Sequence, residues 1–193
     1  MNFGDSGFTA FDCNLRDGRS VHIRAMRRSD EAAFLQAFER MDAEACYMRF
    51  MRVMGEPNIE RLRAALAALP ESGLGIVATA PSDNGIDIVG SAMFLIGKDP
   101  SSCEFSTTVL AEYGGQGLGR ALMRALIAAA QRRGLLTMEG YVLAQNQPML
   151  KLAARLGFSI ASDPDDAAVR ICRLRLADAA SCESIHSARS PGQ

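Results

Sequence analysis

Four glycines, Gly114, Gly115, Gly117 and Gly119, stand between a β-like run ending at Leu110 and an apolar-periodic helix opening at Gly117. Glycine has no Cβ, so a backbone built of it can come up against a ligand. The first N–H groups of a helix lack intrahelical partners and lie at the positive end of its dipole. Together these features suit the binding of a pyrophosphate. A Walker A loop would close on Gly-Lys-Ser/Thr, but Arg120-Ala121 fills that place. A dinucleotide fingerprint counted from Gly115 needs a third glycine where Arg120 stands.

The third fit is by resemblance. Gly114-Gly115-Gln116-Gly117-Leu118-Gly119 resembles the coenzyme A loop of the GNAT acyltransferase superfamily, Arg/Gln-x-x-Gly-x-Gly/Ala. The resemblance implies acetyl-CoA as co-substrate, held by backbone N–H groups of Gly115, Gln116, Gly117, Leu118, Gly119 and Arg120, with no metal. Valine at Gly117 or Gly119 is then expected to block the phosphates. Gly114 departs from the pattern, because the family carries an anchoring Arg or Gln there. Gly114→Gln is therefore expected to tighten CoA binding by about 0.5–1.5 kcal/mol, provided the backbone tolerates a Cβ.

Acyl transfer to an amine needs positioning, a proton acceptor and a donor for the developing oxyanion. Glu104 is the only acidic residue in Cys103-Glu104-Phe105-Ser106-Thr107-Thr108-Val109, the strand that enters the loop. A buried carboxylate there would have its pKa raised toward neutrality by desolvation. Glu104-Phe105, Val109, Tyr113 and the glycines together are similar to the protein-lysine acetyltransferase branch of GNAT enzymes, as are Val21-His22-Ile23-Arg24, Ser29-Asp30 and Tyr47-Met48-Arg49-Phe50. The similarity implies Glu104 as general base; the strand alone allows equally a glutamate held by a structural hydrogen bond.

Backbone groups of Thr107, Thr108 and Val109 would face the pantetheine arm, pairing with it as an added strand does. They fit ordinary strand positions as well. Asn146 matches the family's cofactor-contacting Asn and also suits a helix N-cap ahead of Pro148. Many relatives place a Tyr seven residues after that Asn as acid for the thiolate, where this chain has Ala153. Cys103 has no His partner, so no cysteine nucleophile is implied.

These groups need a scaffold. A strand over Val21–Arg24, a helix capped by Ser29, helices over Ala43–Met51 and from Asn58 to Pro70, and a hairpin of Leu74–Ala80 with Ile86–Ile96 come first. A strand over Cys103–Leu110, a helix over Gly117–Arg133, a strand over Met138–Leu143, a helix over Gln147–Leu156 and a hairpin of Phe158–Ser162 with Val169–Leu176 follow. The order is α+β, with a mostly antiparallel central sheet flanked by helices. The GNAT resemblance implies that acyl-CoA enters between two splayed strands. Residues 1–19 read as an N-terminal extension, 20–176 as the acyltransferase domain and 177–193 as a mobile tail.

Composition narrows the rest. The 193 residues suit one domain, and a net charge of −1 gives no broad basic footprint for nucleic acid. Five cysteines without a C-x-x-C pair point to reduced thiols, and two histidines make a His-built centre unfavourable. No apolar run reaches membrane-span length. Met1-Asn2-Phe3-Gly4-Asp5 lacks the basic start and apolar stretch of a signal peptide, which points to the cytoplasm. The leading reading is N-acetyl transfer to a protein lysine. A small-molecule amine acceptor and a non-catalytic acyl-CoA sensor are the alternatives, and the sequence leaves a homodimer open.

Overall fold

The computed structural model describes residues 7–39, 67, 69, 71–82 and 85–176. The expected helix over Ala43–Met51, most of the one from Asn58, the Tyr47–Phe50 signature and the 177–193 tail lie outside them. The described residues form an eight-stranded sheet. Its strands are β1 (Phe11–Asn14), β2 (Ser20–Ala25), β3 (Gly73–Ser82), β4 (Gly85–Ile96), β5 (Ser102–Val109), β6 (Thr137–Leu143), β7 (Ser159–Ser162) and β8 (Val169–Arg175). Their spatial order is β1-β2-β3-β4-β5-β6-β8-β7. Among the described residues, the helices with both ends in view are α1 (Glu31–Glu39), α2 (Leu118–Arg132) and α3 (Gln147–Arg155).

Both expected hairpins form, with β3 antiparallel to β4 and β7 antiparallel to β8. The β5–β6 pair is parallel. A helix crossover dictates this: α2 carries the chain back along the sheet, which no tight turn can do. Alternation along the strands sends Ala92 and Phe94 of β4 and Cys103 and Phe105 of β5 to the face packed by Leu118, Leu122, Met123 and Leu126 of α2. Arg120 and Arg124 stay exposed on the far side of α2. Gly134 and Gly157, at φ +74° and +90°, end α2 and α3 in the left-handed conformation. Around Gly157, Phe158 N–H reaches Ala153 O at 3.0 Å and Gly157 N–H reaches Ala154 O at 3.1 Å, which satisfies the last carbonyls.

Two expectations are corrected. Ser29 does not cap α1; a 3-10 turn over Arg28–Asp30 precedes the helix, and the buried Asp30 carboxylate fastens it. Asp30 accepts both terminal N–H groups of Arg24 at 2.8 Å and the Arg27 amide at 2.7 Å. Burial pushes the Asp30 carboxyl up, but these donors outweigh it and hold it below the ordinary carboxylate range. The second correction concerns residues 7–19. They supply edge strand β1, whose Phe11 to Asn14 pair with Ile23 to Ser20 of β2, and so belong to the body of the sheet.

Candidate active site

The site is built where two neighbouring strands part company. β5 pairs with β4 along its length, from Ile96↔Cys103 to Gly90↔Val109. Its pairing with β6 is short: Ser102↔Thr137, Cys103↔Met138 and Glu104↔Glu139. Beyond Glu104 the two strands diverge. Two bonds fix which amides face the gap, Gly97 N–H to Ser102 O at 3.3 Å and Leu110 N–H to Val89 O at 3.1 Å. In an antiparallel ladder, both backbone groups of every second residue point to the same neighbour. The even-numbered residues of β5 therefore serve β4; the Phe105 N–H closes the last rung to Glu139 of β6, and beyond it the Phe105 C=O and both backbone groups of Thr107 and Val109 turn toward the gap. Thr108, expected to do the same, directs its backbone groups to β4.

A glycine shapes the apex. A Cβ on Gly140 of β6 would lie 2.5 Å from Cε1 of the Phe105 ring. That ring packs edge-on against Phe158, with centroids 5.2 Å apart. Gly140→Ala is expected to destabilise the fold by about 1–3 kcal/mol, the usual cost of overpacking. Urea unfolding measures this, and an unchanged midpoint would mean that the ring has room to move.

The glycine loop begins where β5 ends. A 3-10 turn, Ala111–Tyr113, leads into Gly114, then Gly115 at φ +72° and Gly117 at φ +98°. Gly117 is the N-cap of α2 and offers no side-chain acceptor to the helix amides. The first intrahelical bond runs from Ala121 N–H to Gly117 O at 3.1 Å, so the amides of Leu118, Gly119 and Arg120 precede the ladder. Gly119 has a different task. A Cβ there would sit 3.4 Å from Leu152 Cδ2 and 3.7 Å from Val109 Cγ2, so the small residue lets α2 close on α3 and the end of β5.

Gly114 overturns the expected gain from glutamine. Its φ of −64° and ψ of 147° suit any residue, but a Cβ would lie 2.9 Å from the Ala111 carbonyl oxygen. That oxygen already accepts the Gly114 N–H at 2.9 Å. Gly114→Gln is therefore expected to open the 3-10 turn and weaken CoA binding, as calorimetry on the folded variant would show. Tighter binding would mean that the turn yields freely.

Glu104 sits at the fork, on the face opposite the α2 core. It is exposed, not buried as the sequence suggested, so its fitness for chemistry rests on position. Glu139 is its partner across the parallel pair and accepts Arg173 Nε at 2.9 Å and Nη2 at 2.8 Å. Tyr141, two residues along β6, is exposed on this face. Partial desolvation pushes its phenol up first, and the charges of Glu139, Glu104 and Asp163 push it further. Cys103 points the other way into the core, where burial and then the charge of Glu139 push its thiol up to about 12. A thiol so placed is inert as a nucleophile.

Across the gap, β6 ends at Leu143 and Asn146 caps α3, its Oδ1 accepting Met149 N–H at 3.2 Å. The cap commits the oxygen and leaves the amide NH2 as donor. Ala153 is fully buried on α3, so no acid faces the gap from that position. Among the described residues, no cluster of three or more His, Cys, Asp or Glu is placed to hold a metal, and no helix is long and apolar enough to cross a membrane.

Sequence reasoning missed Tyr141 and two arginines on the β1–β2 turn. Tyr141 was findable, since it shares a strand face with Glu139 by alternation. Arg16 and Arg19 were not, because they reach the glycine loop from a segment read as an extension.

Comparison with known proteins agrees with this geometry. The profile of the Acetyltransferase (GNAT) family matches residues 32–158. An acetyltransferase of Pseudomonas aeruginosa, PA5475, is 31% identical over 163 residues, which are 84% of this chain and 88% of that one. The GNAT domain of S. lividans PAT superposes with a TM-score of 0.76 at 20% identity, covering 86% of this chain and 96% of that one. The yncA acetyltransferase of Salmonella typhimurium, solved with acetyl-CoA, gives 0.60 at 21% identity, covering 81% and 94%. At such identities the two structures speak for the fold, while the family profile and the Pseudomonas relative speak for descent. The chain belongs to the GNAT family of acetyltransferases, enzymes that use acetyl-CoA as co-substrate.

Proposed function

We propose that this protein acetylates the ε-amine of a protein lysine by direct attack on acetyl-CoA, with Glu104 as general base. The observation that carries the reading is the position of Glu104 at the fork of β5 and β6, the last paired residue before the strands separate. The pyrophosphate lies on the amides of Gly115 to Arg120, and the pantetheine arm runs between the strands along Phe105, Thr107 and Val109. Asn146 meets the arm from the β6 side with its amide NH2. This arrangement brings the thioester toward the apex, and one gap-facing N–H polarises its carbonyl.

The acceptor approaches from the open face that carries Glu104, Glu139 and Tyr141. The Glu104 carboxylate favours an arriving ammonium, Glu139 being paired with Arg173, and takes its proton so that the neutral amine can attack. An unstructured peptide can lay an extended lysine side chain across such a face. The departing thiolate takes its proton from water, since α3 offers Ala153 in place of an acid.

Thiol release should be followed with acetyl-CoA and either a lysine-containing peptide or spermidine, with mass spectrometry of the products. Acetylated lysine is the expected product. Acetylation confined to spermidine would replace the acceptor assignment with a small amine. CoA binding without thiol release from either acceptor would leave an acyl-CoA sensor.

A further inference from the structure

The β1–β2 turn is docked on the glycine loop by contacts that the acetyl-transfer scheme does not use. Arg16 N–H donates to Gln116 O at 3.1 Å, and Arg16 Nη1 approaches Gly115 O at 3.4 Å. Arg19 Nη2 donates to Glu112 O at 2.7 Å, and its guanidinium lies 3.9 Å from the centre of the Tyr113 ring. Asp17 holds Arg19 in place, accepting Nε at 2.8 Å and Nη2 at 2.6 Å. The turn is itself fixed: Leu15 N–H meets Arg19 O at 2.8 Å, Gly18 N–H meets Leu15 O at 3.1 Å, and the Leu15 side chain is buried. Loop residues from Glu112 to Gln116 thus rest on a rigid hairpin some ninety positions earlier in the chain, as the 93-residue separation of Arg19 from Glu112 shows.

We propose that this turn is a second wall of the pyrophosphate site. Arg19 is a positioning residue that holds the loop in its binding shape, the task left open by a glycine at position 114. Arg16 pairs directly with a pyrophosphate oxygen. Its guanidinium is exposed at the loop's edge, and one weak contact to Gly115 O leaves further N–H donors in a planar fork suited to phosphate. The inference rests on the placement of CoA on the glycine loop.

Calorimetry with CoA and with 3′-dephospho-CoA, on wild type, Arg16→Ala, Arg19→Ala and Arg19→Lys, tests it. Thermal melts confirm folding of each. Arg16→Ala should weaken both ligands equally, by about tenfold, the worth of one charge-assisted hydrogen bond. The salt dependence of binding should flatten with it. Arg19→Ala should raise KM for acetyl-CoA several-fold with kcat unchanged, and Arg19→Lys should restore part of the loss, because lysine keeps the charge without the fork. Both alanine variants binding within twofold of wild type would overturn the proposal. A loss at Arg16→Ala seen only with CoA would move that contact to the 3′-phosphate and overturn the pyrophosphate assignment. Wild-type protein that fails to bind CoA would instead sink the cofactor placement on which the inference stands.

Discussion

Glu104→Gln should lower acetyl-transfer turnover by roughly 10²–10⁴-fold at neutral pH while leaving CoA affinity nearly intact. Glutamine keeps the size of the side chain and removes the proton acceptor. The magnitude has an independent check. A lysine amine with an ordinary pKa near 10.4 is neutral in only about one molecule in a few thousand at pH 7. An enzyme without its base must wait for that fraction. The deficit should therefore shrink as pH rises toward about 10, where free amine arrives without enzymic help. Damage to the strand would give a deficit indifferent to pH. Since Glu104 is exposed, the substitution leaves no buried group unsatisfied, and the fold should melt as wild type does. Wild-type turnover in the variant would move the base elsewhere, with Glu112 or a water chain next in order.

Gly117→Val should abolish CoA binding at concentrations that saturate wild type, a loss of about 10²-fold or more. The reason differs from a blocked entrance. Nothing lies within 4 Å of a Cβ built on Gly117, so space is ample, but φ is +98°. A β-branched residue is a severe outlier in that region, and the backbone leaves it at a cost of order 1–3 kcal/mol. As it leaves, the amides of Leu118, Gly119 and Arg120 lose their common aim. Two charge-assisted bonds of about 1.5–3 kcal/mol each account for the expected loss. Gly119→Val should behave otherwise, since its Cβ meets Leu152 and Val109 at ordinary contact distance. Its damage should register in the melting temperature through α2–α3 packing. Calorimetry paired with thermal melts separates the two variants, and equal CoA affinity in wild type and Gly117→Val would remove the loop from the cofactor site.

The elements that frame the site were legible because their signals are local. The Gly-rich loop, the 3.6-residue periodicity of α2, the Asn146 cap and the glycines after α2 and α3 each act within a turn or two of themselves. Both hairpins follow from β-branched runs with turn residues between them. What stayed hidden depends on distant segments meeting. β1 has little apolar patterning of its own and becomes a strand by pairing with β2. The Arg16 and Arg19 contacts join residues that only the folded sheet brings together. Gly114 misled because its φ and ψ are unremarkable; the Ala111 carbonyl beside it decides the matter. The exposure of Glu104 depends on what covers that face of the sheet, which no property of β5 alone could show. Thr108 was assigned to the gap because register relative to β4 cannot be read from one strand.

Backbone amide exchange by NMR, with and without CoA, tests the central claim most directly, because it reports on the groups said to hold the cofactor. Slowed exchange at Thr107, Val109 and the amides from Gly115 to Arg120, with Thr108 unchanged because its N–H already serves β4, is the predicted result. CoA binding that leaves Thr107, Val109 and the glycine loop unprotected while slowing exchange elsewhere would contradict the account.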